Sequence, residues 1–175
     1  MSSAPAIAPP DASEYASYYN TYISLVGGRD ILATLKQVGG EAASFYSGLS
    51  EEQADHRYAP GKWTIREVLG HVIDTERIMT YRALRFSRND ATNLPGFNQE
   101  PYVQYGPYGR FPLPDLIDEF SCVRQASLFL FSRLDEAAWM RAGTADNKQI
   151  TVRSLAYIVA GHELHHRKIV QEKYL

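Results

Sequence analysis

The 175-residue chain predicts an all-α fold, a four-helix bundle. Three observations carry that expectation. Four segments of helical length show apolar residues recurring at helical intervals. Two of them open on N-cap signals, at Thr64 and Thr151, and a third opens on a first-turn proline, Pro114. No segment shows a convincing strand alternation.

The elements follow in chain order. Asp11-Ala12-Ser13-Glu14 has capping-box spacing, and Tyr15, Tyr18, Tyr19 and Tyr22 then recur at helical intervals up to Gly27-Gly28. This reads as a short helix or turn whose tyrosines pack on the main body; an aromatic substrate wall is the weaker reading. The first long helix is expected from Asp30 to Gly48, with Ile31, Leu35, Val38, Ala42, Phe45 and Tyr46 as its stripe and Gly39-Gly40 as a weak point. The second runs from the capping box Thr64-Ile65-Arg66-Glu67 to Arg88 and buries Ile65, Val68, Leu69, Val72, Met79, Ala83 and Phe86. The stretch 89–112, rich in Pro, Gly, Tyr and Phe, is either a lid or pocket wall or a packed crossover, with a helical turn near Gln99 to Gln104. The third long helix spans Pro114 to Leu134, with Leu116, Phe120, Val123, Ser127 and Leu130 on its face. Asp135 to Ile150 reads as a polar loop anchored by Trp139. The fourth starts at the cap Thr151 and runs to the end, with Leu155, Ile158, Val159, His162, His166 and Ile169 on one face.

Composition narrows the function. A hydrophobic fraction of 45%, a charged fraction of 22% and a net charge of -2 describe an ordinary globular domain with no basic surplus for nucleic acid. One cysteine, Cys122, excludes an internal disulfide framework and is expected to be a buried residue of the third helix. No run is apolar enough to span a bilayer, and a cytoplasmic location is expected. Residues 1–10 read as a disordered tail, and 11–175 as one domain.

Three histidines carry the chemistry. His162 and His166 stand four apart, about 40° from one another around the helix axis. His71, on the second helix, is about 110° from the centre of that helix's apolar stripe, a place suited to the mouth of a bundle. A third imidazole from a facing helix completes a three-nitrogen site and leaves one position open. Each histidine alone is better read as a hydrogen-bonded or surface residue, and His56 is read as surface. Together they are better explained by a metal, because imidazoles on an apolar stripe need partners. His162 with His165, about 60° apart, is a geometric alternative. The run His162-Glu163-Leu164-His165-His166 also matches the zincin pattern H-E-x-x-H, with Glu163 as a general base. That reading lacks room for a downstream third ligand, and Ile169 breaks the metzincin extension.

The segments Pro60-Gly61-Lys62-Trp63-Thr64-Ile65-Arg66-Glu67-Val68-Leu69-Gly70-His71 and Gly161-His162-Glu163-Leu164-His165-His166 resemble the DinB-like, YfiT-type superfamily of metal-dependent bundles. The resemblance covers nearly the whole chain from Asp11. It implies a metal held by His71, His162 and His166, with zinc or nickel as the ion and a homodimer as the assembly. It implies transfer of a low-molecular-weight thiol to an electrophile, isomerisation through a thiol adduct, or hydrolysis.

Thiol transfer to a small electrophile is the first functional expectation. Hydrolysis of a small substrate and a ligand-binding bundle without chemistry are the alternatives. Asp74, one turn beyond His71, and Glu163 are the further catalytic candidates; Asp74 is suited to orienting an imidazole or a water, although a solvated or paired carboxylate is the simpler reading. Glu76 falls near the apolar face and needs a partner, with Arg82 or a tyrosine expected. Arg66, Arg77 and Arg85 are expected to be exposed helix charges.

Overall fold

Side-chain caps set where the long helices begin. In the computed structural model, which describes residues 7–175, Asp30 accepts from the Ala33 amide at 2.7 Å and starts α2, Ile31–Ser47. Thr64 and Glu67 form the reciprocal capping box of α4, Ile65–Ser87, with the Thr64 amide 2.7 Å from the Glu67 carboxylate. Thr151 caps α8, Val152–Lys173. The N-terminus of α6, Leu113–Ser132, is capped from a distance: the Leu113 amide donates to Glu51 at 3.0 Å. Shorter elements join them: α1 (Asn20–Val26), α3 (Glu51–Ala54), α5 (Gln99–Tyr105) and α7 (Glu136–Met140).

The four long helices form the expected bundle, and their order is not sequential. α6 packs against α2 and α4, and α8 packs against the same two, giving the ring α2–α6–α4–α8. Helices α2 and α4, and likewise α6 and α8, therefore lie on diagonals. Two apolar clusters fill the ends of the bundle. One joins Leu35, Met79, Phe86, Phe131, Trp139 and Leu155; the other joins Tyr46, Ile65, Leu69, Leu113, Phe120 and Val170. Each helix runs from one cluster to the other, so α4 and α6 are adjacent and parallel. The segment 88–112 must then return the full length of the bundle. This is why that connection is long, and its middle passes the level of the histidines.

Between the two clusters lies a polar layer. Arg124 of α6 donates to both oxygens of Glu76 at 2.9 Å and to the Leu35 carbonyl at 2.9 Å, with both side chains under 5% exposed. The partner of Glu76 is thus Arg124, not Arg82 or a tyrosine; it stands on a neighbouring helix that spacing within α4 does not reveal. Gly39, expected as a weak point, makes room for it: a Cβ there would lie 2.8 Å from Arg124 Cγ.

Other expectations are corrected. Residues 142–151 are not a loop but a hairpin, β1 (Ala142–Ala145) with β2 (Lys148–Thr151), turned by Asp146 and Asn147 at φ 54° and 59°. The crossover is stitched to it, since Leu94 exchanges backbone hydrogen bonds with Thr144 and Asp146 at 2.9 Å. Cys122 is exposed, because it sits on the face of α6 opposite Phe120 and Arg124. Arg66 is buried rather than exposed; it pairs with Glu51 and Asp55 and donates to the Phe111 carbonyl at 2.9 Å, tying α3 and the crossover to α4. Of the expected tail, residues 1–6 lie outside the described residues. Ile7 to Pro10 are held on the bundle, where Tyr157 donates to the Ile7 carbonyl at 3.2 Å and Pro10 is buried. Among the described residues, no helix is long and apolar enough to cross a membrane.

Candidate metal centre

Helices α4 and α8 run side by side, and one turn of each supplies the cluster. His71 of α4 meets His162 and His166 of α8, one donor nitrogen from each lying within 4.8 Å of the others. The Nε2 atoms of His71 and His162 face one another at 3.1 Å. Ring centroids lie 4.9 Å apart for His71–His162 and His71–His166, and 4.4 Å for His162–His166. His71 and His162 are buried, at 3% and 4% exposure. The edge position of His71 on its stripe becomes interior because α8 and Trp63 cover it, with the Trp63 and His71 rings 5.0 Å apart.

Burial sets their charge. It pushes His71 down to about 4, and, with the neighbouring imidazoles adding to it, His166 down to about 3 and His162 well below the ordinary value. All three are neutral near pH 7, the form in which imidazole binds a metal. The donor set fits an ion: nitrogens held at about 2.0–2.1 Å around a tetrahedral zinc stand roughly 3.3 Å apart, close to the 3.1 Å between His71 and His162.

His165 is not part of the cluster. It is half-buried and sits edge-on to Tyr22 at 5.3 Å, so the i, i+4 pair and not the i, i+3 pair converges with His71. Gly161 permits the close approach of α1 at this level, since a Cβ there would fall 2.1 Å from the Tyr22 carbonyl oxygen. Tyr22 in turn meets the His162 ring edge at 5.1 Å.

The structure does not bring Asp74 or Glu163 to the histidines. Asp74 accepts from the Tyr108 hydroxyl and lies 3.6 Å from Arg77. Glu163 points toward α2 and accepts from Arg167 at 3.0 Å; burial, opposed by Arg167 and Arg124, pushes it up to about 7. Neither lines a cleft at the cluster. Glu163, one residue from His162, turns about 100° off the imidazole face, and Asp74, about 60° round from His71 on the side opposite Thr75, is taken up by Tyr108 and Arg77.

Two clefts reach the cluster. One, of about 340 Å³, touches His71 and His162 and is walled by Tyr18, Tyr19, Tyr22 and Phe97 with Thr75, Asn98 and Gln99. The other, of about 220 Å³, touches His166 and is lined by Tyr58, Lys62, Trp63 and Tyr174. Gln99 borders both. The N-terminal tyrosines are therefore a cavity wall as well as packing, and the crossover is a pocket wall as well as a return path. Sequence reasoning missed Thr75, Asn98 and Gln99. For Thr75 a signal existed, since position i+4 from His71 shares its face; for Asn98 and Gln99 the signal was the length and composition of 89–112, read as a lid or pocket wall without singling them out.

Fold and site together define a four-helix bundle with an internal three-histidine cluster able to hold a metal ion. The family model of the DinB superfamily matches residues 34–170, and the chain belongs to that superfamily. A protein of Oceanobacillus iheyensis, described as a candidate metal-dependent hydrolase, is 26% identical over 141 residues, covering 78% of this chain and 81% of that protein. YfiT from Bacillus subtilis, described as a probable metal-dependent hydrolase with an unusual four-helix bundle topology, matches with a TM-score of 0.73 at 15% identity, over 93% of this chain and 89% of that one. At that identity the likeness speaks for the fold.

Proposed function

We propose that this protein is a metal-dependent enzyme that joins a small thiol to a small electrophile at His71, His162 and His166. The observation that carries the reading is the pair of clefts, of about 340 and 220 Å³, that reach the cluster and give room for two reactants. Imidazole donors suit zinc and nickel alike. Bound there, such an ion would lower the pKa of a thiol or a water at its open position toward neutrality. The chain's own residues supply the setting. The neutral imidazoles present nitrogen lone pairs without a proton to displace, Tyr22 and Trp63 pack against the His162 and His71 rings, and Tyr19 and Phe97 wall the larger cleft.

Hydrolysis is the second reading, favoured by the descriptions of the two relatives as metal-dependent hydrolases. The same cluster would then act on water in place of a thiol. Elemental analysis of the wild type beside His71→Ala, His162→Ala and His165→Ala comes first. About one ion per chain, lost in the first two variants and kept in the third, is expected. Consumption of 1-chloro-2,4-dinitrobenzene is then followed with and without a panel of small thiols. Turnover that needs a thiol supports transfer; turnover of activated esters without one supports hydrolysis. No metal after loading with zinc or nickel removes both.

A further inference from the structure

The outward face of α6 carries a pattern that the bundle does not use. Asp115, Glu119, Cys122, Ala126, Phe129 and the C-cap Arg133 recur at alternating spacings of four and three residues. Those intervals keep all six within about 40° of one line along the helix. Glu119 is half-buried and the other five are exposed. A four-three alternation is the seam of a helix that packs along another helix. Here α2 and α4 take the other faces of α6, and no element of the described chain covers this one. Phe129 stands 51% exposed, and beside the stripe a groove of about 440 Å³ between α6 and α4 leaves Tyr81 and Leu84 at 50% and 42%.

The order of the residues fits a second copy of the same helix. The stripe is symmetric about position 124: Asp115 and Arg133 lie nine residues to either side of it, Glu119 and Phe129 five, and Cys122 and Ala126 two. A second α6 laid antiparallel sets Asp115 against the partner's Arg133, twice over, and brings the small side chains of Cys122 and Ala126 together at the centre. A parallel copy would set like charges on one another, and would align the helix dipoles instead of opposing them. Glu119 already has its cation, Arg77, at 2.7 Å, whereas Asp115 and Arg133 form no ion pair among the described residues. We propose that two copies of this chain associate through the outer face of α6, antiparallel, about a twofold axis at position 124. No residue of α6 lines either cleft at the histidines, so the association leaves both clefts open and stands independently of their chemistry.

Light scattering on the eluting protein measures its mass, and Cys122, the one cysteine of the chain, reports which face is used. Across the proposed axis the two Cys122 positions stand about 6 Å apart along helices that are themselves roughly 8–10 Å apart. Bismaleimidohexane is therefore expected to join two chains, and urea or Cys122→Ser to abolish the link. Asp115→Arg and Arg133→Asp each place like charges opposite one another twice, and each is expected to weaken the dimer about tenfold. An equal mixture of the two variants regains both opposite-charge contacts, so it is expected to recover the wild-type affinity as a heterodimer. Both positions are exposed, and the variants are expected to melt with the wild type. A wild type that stays monomeric at its highest soluble concentration overturns the assignment. So does a dimer that bismaleimidohexane does not link through Cys122, or a mixture of the variants that associates no better than either alone.

Discussion

Replacing Arg124 with methionine removes the cation that bonds Glu76 in the polar layer. The structure sets the magnitude. Arg124 gives Glu76 two hydrogen bonds at 2.9 Å and a third to the Leu35 carbonyl, and the two side chains are 4% and 2% exposed. Water cannot replace those donors, so Arg124→Met leaves a buried carboxylate and a backbone oxygen unpaired. Removing one partner of such a pair costs about 3–5 kcal/mol. For a domain of this size, that lowers the melting temperature by roughly 6–20 °C. Methionine fills much of the same volume beside Gly39, so the loss is one of charge pairing rather than of packing. The companion is Glu76→Leu/Arg124→Met, which removes both charges and is expected to recover at least half of the loss. Urea denaturation followed by fluorescence of Trp63 and Trp139 measures all four corners of the cycle. If Arg124→Met costs under about 1 kcal/mol, or the double variant loses the sum of the singles, then the pair is not held as an isolated buried unit and the reasoning fails.

Two further perturbations test other parts of the fold. Arg153 donates to Glu14 and holds that carboxyl below its usual value, so their stabilisation is present above the unfolded carboxyl value of about 4.3 and fades as pH falls through the lower folded value. Glu14→Gln is therefore expected to cost about 1 kcal/mol near pH 7, with the gap to wild type closing below about pH 4; a gap independent of pH counts against the pairing. Gly161→Ala should cost about 1–3 kcal/mol, because its Cβ would meet the Tyr22 carbonyl at 2.1 Å, whereas Gly40→Ala, with open space around it, should gain about 0.4–1 kcal/mol in the same denaturation assay.

Local patterns reached far into this protein. The stripe of α2 and the stripes and caps of α4 and α8 placed those helices to within a residue or two, because cap chemistry and apolar periodicity act over single turns. The pairing of His162 with His166 was equally local. Its choice over His165 followed from helical phase, and the structure brings that pair to His71. The hairpin at Asp146-Asn147 was missed because its strands are short and neither alternates strongly. The exposure of Cys122 and the burial of Arg66 were misjudged because both depend on what a neighbouring helix covers.

What the sequence determined by itself, then, was the four long helices, the bundle class and the pair His162–His166, through spacing along single helices, with His71 joined to them by the expectation of a facing helix and by the family resemblance. The tertiary structure decided the rest. The ring order α2–α6–α4–α8 makes α4 and α6 parallel neighbours, and so sends the crossover past the histidines, where Asn98 and Gln99 become cavity wall. It pairs Glu76 with Arg124 and engages Asp74 with Tyr108 and Glu163 with Arg167 rather than with the histidines. The physical reason is range: a helical turn is specified by residues three and four apart, while a neighbour across a bundle is specified by packing between helices distant in the chain.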